Sequence, residues 1–162
     1  MTVPSDAACT QQAQPAWRPT RALLRLSGGA AALLLGGTVY EYARPAGFHG
    51  GLLDALPSFA HVVAMVLVSG ALLQPGRGAG ALLCVGWVAV NTLFEIGQAH
   101  GLAVWIAAWL DDSCRVWGAC QATARFFLHG TFDPLDLAAS TAGGFVAWRL
   151  LRLSDEKSAV RK

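Results

Sequence analysis

The sequence predicts an all-α integral membrane protein: a bundle of four transmembrane helices, with short interfacial helices between spans 3 and 4. Three observations carry that expectation. Of 162 residues, 54% are hydrophobic and 14% charged, against about 25% charged in an ordinary soluble domain. The apolar residues gather in four runs, each close to the roughly 20 residues that carry a helix across hydrocarbon. Eighteen glycines suit helices that associate in lipid by close backbone approach. The net charge of +2, with no basic stripe interleaved with aromatics, argues against nucleic acid as a partner. The partner the composition implies is the lipid bilayer.

Residues 1–19 hold Pro, Gln, Thr and Ala without an apolar period and are expected to form a flexible tail. The first span is expected at about 22–42, behind Arg18, Arg21 and Arg25. No small-residue cleavage pattern precedes Glu41-Tyr42, so an uncleaved span is favoured over a signal peptide. Pro45, Gly50, Gly51 and Asp54 mark 43–56 as a loop with one short helical turn. Pro57 suits the first turn of a helix, which places the second span at about 57–73. Gln74-Pro-Gly-Arg-Gly78 is a compact turn, so the third span, about 78–98, is expected antiparallel to the second and beside it. Leu102 to Leu110 is too short to span, and Trp105 and Trp109 suit an interfacial helix ended by Asp111-Asp112. A second such helix is expected over 113–128, then the fourth span at about 135–153 and a charged tail, 154–162. Nine of the twelve basic residues fall on the side holding both termini and Arg77; the other side keeps Arg44, Arg115 and Arg125. The positive-inside rule then places both termini and the Arg77 turn on the cytoplasmic side.

The third span carries the polar stripe Asn91, Glu95 and Gln98, whose spacing of four and three residues puts all three on one helical face. Topology brings Glu95 and Gln98 to the outer end of that span. Asp133 and Asp136 open the fourth span at the same level, and His61 lies near the outer start of the second. These five, with Arg125 from the connecting segment, are the candidate ligand-binding residues, and His129 of the same segment is within reach of them; Asn91, Ser140 and Gly143 support them. Each has a structural alternative. Asp133 is a good N-cap, Pro134 fits the first helical position, and Asp136 at the third favours the helix dipole. An amide between spans such as Asn91 serves as interhelical glue. A lone histidine such as His61 is commonly a satisfied core residue. Arg125 is expected either to counter Glu95 or Asp136 or to touch lipid phosphate. Asp136, Ser140 and Gly143 share a face that would bring the fourth span close to Glu95.

A metal site needs a tighter cluster of ligands than the chain offers, so none is expected. No cofactor is implied, since nucleophile elbow, phosphate loop and Cys-x-x-Cys motifs are absent. Cys9 lies in the tail and Cys84 in a span. Cys114 and Cys120 share the outer segment, where a disulfide is permitted. Six residues along an unbroken helix separate their Cα atoms by about 9 Å, so a bridge requires a break, for instance at Gly118.

The stretch Glu95-Ile-Gly-Gln98, followed by Thr131-Phe-Asp133-Pro-Leu-Asp136 and by Ser140 and Gly143, resembles the VanZ-like family of bacterial membrane proteins. Pro57-Ser-Phe-Ala-His61 is similar to that family's helix-opening histidine, and the likeness covers roughly Leu56 to Leu151. The chain departs from the pattern in three ways. His129-Gly-Thr131 stands where the family has an arginine, which leaves Arg125 as a displaced substitute. Ser140 replaces an asparagine, and the connection between the motifs is long. The resemblance implies a small four-span protein and, in the namesake branch, a link with glycopeptide-antibiotic tolerance, but it transfers no reaction. The leading expectation is therefore an outward-facing polar pocket for a lipid head group or other cell-envelope ligand. The alternatives are a membrane-embedded hydrolase or transferase with Glu95 or Asp136 as general base and His61 assisting, and a small proton-coupled carrier. The carrier needs a polar path through the inner halves of the spans, which hold little but apolar and small residues.

Overall fold

The computed structural model describes residues 19–48, 50–114 and 117–159. Residues 1–18 of the expected tail, with Cys9 and Arg18, lie outside them, as do Arg115, Arg161 and Lys162. The described residues are helical, without a strand. Helix α1 is Pro19–Thr38 and runs on through a π-turn, Val39–Ala43. It is followed by α2, Gly51–Leu73, α3, Arg77–Gly97, α4, His100–Cys114, α5, Gly118–His129, and α6, Pro134–Ala159.

Three stretches are long and apolar enough to cross a membrane: Pro19–Ala43, Gly51–Leu73 and Gly78–Gly97. They carry the outward leucines that a lipid-facing surface demands, with Leu34 72%, Leu82 74% and Leu93 68% exposed. Hydroxyls within α1 are satisfied locally, Ser27 donating to the Leu24 carbonyl and Thr38 to that of Leu34. The expected fourth span, α6, is long enough but not apolar enough, because Asp136, Ser140, Thr141, Gly143, Gly144 and Arg149 dilute its leucines and valine.

Helix α2 is the centre of the bundle. It packs on α1 along one side and on α6 along another, and α3 lies mainly against α6 and less against α2. Small residues set these approaches. Gly36 of α1 faces Ala60 and Pro57, and Gly29 faces Ala64, Leu67 and Val68. Gly143 of α6 meets the Phe59 carbonyl of α2, while its neighbour Gly144 meets Val88 of α3. Thus α6 is a wedge between α2 and α3, touching one through each glycine. Between these contacts lies a core of Val62, Val63, Val66, Leu67, Cys84, Ala147 and Leu151. Trp87 adds an α3-to-α2 tie by donating from Nε1 to Ser69 Oγ at 3.1 Å.

The order of the helices gives the bundle two different ends. At the first, Arg25 of α1 is 2% exposed and holds three helices together. Its Nε donates to Ser154 Oγ at 3.0 Å, Nη1 to the Gly70 carbonyl at 2.7 Å and Nη2 to Asp155 Oδ1 at 2.8 Å. Arg21 reaches the same Asp155 oxygen at 2.8 Å. Both α2 and α6 therefore finish here, and they run parallel to each other and antiparallel to α1 and α3. Gln74, at φ 43°, turns the chain from α2 towards α3.

Helix α2 begins at Gly51, six residues before the expected start at Pro57. The turn ahead of the proline is held from outside: Asp54 accepts the Gly50 amide on its side chain at 3.1 Å, and Arg44 donates to its backbone carbonyl. With Asp54 so anchored, the helix forms although Pro57 offers no amide hydrogen.

The expected interfacial helices are present as α4 and α5, although α4 continues past Asp111-Asp112 to Cys114. The two pack together as a hairpin, and α5 opens at Gly118. That interruption brings Cys114 and Cys120 to a Cα separation of 6.1 Å, and they form a disulfide. In Cys114→Ser, loss of the seven-residue ring is expected to cost about 2 kcal/mol within the hairpin alone. Hydrogen exchange should then accelerate in α4 and α5 while α1, α2, α3 and α6 keep their protection.

Candidate functional site

The second end of the bundle gathers the C-terminal turn of α3 and the N-terminal turns of α2 and α6, as counting of turns predicts. Asp133 caps α6: its Oδ1 accepts the Leu135 amide at 2.8 Å and its carbonyl the Asp136 amide at 3.1 Å. Pro134 occupies the first helical position, where a missing amide hydrogen is harmless. This cap fixes the direction in which α6 leaves the connecting segment, and with it the position of Asp136.

Glu95 is 7% exposed, and Asp136 and Asp133 are its charged neighbours. The Asp133 backbone supplies a hydrogen bond to its carboxyl, but Glu95 Oε2 is buried without a partner among the described residues. Asp136 accepts a hydrogen bond from Ser58 of α2, and its Oδ1 is likewise buried without a partner. The cation facing Asp136 is Arg44, which already pairs with Asp54 at 3.5 Å and lies over the Tyr40 ring at 5.4 Å. Two carboxyl groups from two helices thus each present an oxygen that no described residue satisfies. An arrangement of this kind takes up a shared proton, a water or a cationic donor.

The other candidate residues divide into those the fold brings to this point and those it does not. Asn91 Nδ2 donates to Ser140 Oγ, which is wholly buried and donates onward to the Asp136 carbonyl at 2.7 Å. This chain ties α3 to α6 one turn below Glu95. Gly143 does not bring α6 to α3, contrary to expectation; it faces α2, and Gly144 makes the close approach to α3. A helix wedged between two partners divides successive inward positions between them, so the shared face read from spacing points partly at each. Replacing Asn91 with alanine leaves the buried Ser140 hydroxyl without its donor and is expected to lower stability by about 1–2 kcal/mol, read as thermal unfolding in detergent.

Gln98 is 9% exposed and lies against Gly130, where the chain turns back towards α6. It lines a half-open cleft of about 260 Å³ between the end of α3 and the base of the α4–α5 hairpin, with Ala103, Val104, Phe127, Thr131 and Phe132 also in its wall. The hairpin is seated here by aromatic contacts, Phe94 stacking on Phe127 at 5.6 Å and meeting Phe126 edge-on at 5.9 Å. The cleft wall includes Gln98 but neither Glu95 nor Asp136, so the single pocket expected to hold all three resolves into a carboxyl pair and an adjoining cleft.

His61 and Arg125 do not join the carboxyls. His61 is exposed on α2 and makes no hydrogen bond or ion pair with Glu95, Asp133 or Asp136 among the described residues. Arg125 is exposed on α5 and is not the counter-ion of Glu95 or Asp136; Arg44 holds the place facing Asp136. His129 is also exposed. No group of three or more His, Cys, Asp or Glu side chains among the described residues is arranged to hold a metal ion. Ser58 and Arg44 went unassigned in the sequence. Ser58 carried a signal, a hydroxyl in an apolar helix at the level of the acidic pair, whereas Arg44 lies in a loop whose path sequence does not fix.

The fold and this site define an all-helical chain of membrane type whose polar groups collect at the two bundle ends. Comparison with known proteins adds nothing further: the chain matches no family model, no curated protein and no solved structure.

Proposed function

We propose that this chain is a four-span, VanZ-like inner-membrane protein whose outward end binds a lipid head group or other cell-envelope ligand through Glu95 and Asp136. One observation carries the proposal: Glu95 Oε2 and Asp136 Oδ1 are both buried, both without a partner among the described residues, and belong to neighbouring carboxyls on different helices. Gln98 and Asp133 border the same place. The family resemblance rests on the Glu95-to-Gln98 and Asp133-to-Asp136 motifs, whose placement at one end of the bundle supports it.

The fourth span is supported by the course of α6, which reaches from Ser58 at one end of α2 to Arg25 at the other. It turns Phe145, Leu150 and Leu153 outward and Ser140, Gly143, Gly144 and Ala147 inward. A helix covered on two sides by partners crosses lipid with fewer apolar residues than an isolated one. Two independent features support the orientation. Among the described residues Arg21, Arg25, Arg149 and Arg152 lie toward the Arg25 end against Arg44 and Arg125 at the other, and the disulfide lies in the hairpin at that opposite end, where an oxidising compartment suits it.

Native mass spectrometry of the full chain, purified in detergent and offered a bacterial lipid extract, tests the proposal. The parent protein is expected to retain lipid through delipidation, and Glu95→Gln and Asp136→Asn to lose at least about tenfold in occupancy, the worth of one charge-assisted hydrogen bond. Parent-like retention in both variants, each eluting as the parent does, sinks the proposal.

A further inference from the structure

We infer that the ligand is a lipid whose head group ends in a primary ammonium; this rests on the binding role proposed for Glu95 and Asp136 and names its chemistry. The charge around the site is one-sided. Glu95, Asp133, Asp136 and Asp54 are arrayed with one described guanidinium, that of Arg44. Its Nη2 donates to the Asp54 carbonyl and it pairs with the Asp54 carboxylate at 3.5 Å, while its Nε is buried without a hydrogen-bond partner among the described residues, so one cation faces four acids. Arg125 and His129 are exposed and pair with none of these carboxyls among the described residues. A ligand bearing bare phosphate or sugar hydroxyls leaves that excess unanswered, and a bare phosphate adds to it.

Glu95 is more than nine-tenths buried, and its Oε2 lies among these acids without a partner among the described residues. Buried polar atoms in folded proteins are nearly always satisfied, so this oxygen together with Asp136 Oδ1 describes an acceptor pair awaiting donors. A primary ammonium carries three N–H donors on a compact charge, enough for both oxygens at once. A quaternary ammonium carries the charge but no N–H, and leaves both oxygens unsatisfied. A metal ion asks for more ligands in one place than the described residues assemble.

The cleft argues for a lipid over a free amine. Gln98 stands three residues beyond Glu95 at the end of the same helix, and the cleft it lines is walled by apolar Ala103, Val104, Phe127, Leu128 and Phe132 together with His100 and Thr131. Gln98 joins the two places, about one helical turn from Glu95 and itself in the cleft wall, so an amphiphile with its head group at the carboxyls would pass Gln98 and lay part of a chain along the hairpin base. The exposed Trp105, Trp109 and Trp117 of the hairpin suit the head-group layer from which such a ligand would enter.

Short-chain phosphatidylethanolamine, phosphatidylcholine and phosphatidylglycerol, and free ethanolamine, are titrated onto the full chain in detergent, with dissociation constants read by native mass spectrometry. Phosphatidylethanolamine is expected to bind at least tenfold tighter than the other three. Glu95→Gln and Asp136→Asn should each abolish that preference while elution and the Cys114–Cys120 disulfide stay as in the parent. Equal or tighter binding of phosphatidylcholine or phosphatidylglycerol that still depends on Glu95 overturns the ammonium and leaves the binding site standing. Ethanolamine binding as tightly as its lipid overturns the lipid. Binding of every lipid that is indifferent to both substitutions overturns this inference and the site together.

Discussion

Valine at position 143 is expected to prevent the chain from reaching its folded, monodisperse state. A Cβ at Gly143 would stand 2.7 Å from the Phe59 carbonyl oxygen and 3.4 Å from the carbonyl carbon, closer than real side chains approach. The obstacle is backbone in the middle of α2, so no rotamer change relieves it; α6 must shift away from α2. That shift opens the largest shared surface of α6, loosens Val62, Val63, Val66, Ala147 and Leu151, and withdraws Asp136 from Ser58. Overpacking a well-filled core costs about 1–3 kcal/mol, and a collision with backbone belongs at or above the top of that range. Gly143→Ala should fall part-way. Gly144→Ala should be milder, because its obstacle is the Val88 side chain. Gly86→Ala, with nothing within 4 Å, should be neutral or slightly stabilising. Size-exclusion profiles and thermal unfolding in detergent rank the four. A Gly143→Val protein melting within about 2 °C of the parent would show that α6 does not lie against Phe59 as described.

The contrast between these glycines marks what sequence can and cannot convey. Composition placed small residues where helices meet, and the positions of α1 and α3 and the start of α6 are close to those expected, whereas α6 continues to Ala159 through the expected tail, where Ser154 and Asp155 meet Arg25. The level of Glu95 against Asp133 and Asp136 also follows from sequence, because an antiparallel chain with short turns leaves few choices. So does the cap at Asp133, which depends only on residues adjacent in sequence. Rotation of a helix about its own axis is different. It is set by neighbours distant in sequence, and nothing local distinguishes Gly143 facing α2 from Gly144 facing α3. The same limit hid the partners of Asp136, since Ser58 and Arg44 arrive from elements 78 and 92 residues earlier. It also made Arg125 look like the natural counter-ion because it lies nearest along the chain. Pro57 misled for another reason: it suits a helix start, and the anchoring of Asp54 that moves the start to Gly51 comes from Arg44 in the preceding loop.

Arg25 was legible only as one of several basic residues flanking a span, yet its removal is expected to rank with the loss of Gly143. In Arg25→Ala, Gly70 keeps the Gln74 amide at 3.2 Å, but the side-chain ties from Arg25 to Gly70 of α2 and Ser154 of α6 disappear, and Arg21 alone keeps α1 paired with Asp155 of α6. Ser154 still donates to the Leu151 carbonyl at 2.7 Å, while its oxygen loses its donor. Breaking a buried ion pair from one side costs about 3–5 kcal/mol, and the surviving Arg21 contact puts this case near the lower figure. Lysine should recover only part of the loss, because one ammonium cannot place donors in the planar fork that meets Ser154, Gly70 and Asp155 from three sides. Methionine keeps much of the volume without charge and separates packing from pairing. If the guanidinium acts by pairing, the order of stability is parent, then lysine, then methionine and alanine together. If methionine matches the parent, Arg25 serves as filler and the charge-flanking role read from sequence is sufficient. Lipid binding at the Glu95 end distinguishes a local latch from a keystone. In a rigid bundle α6 transmits the loss along its length, and Arg25→Ala should weaken retention there although no atom of Arg25 approaches that end.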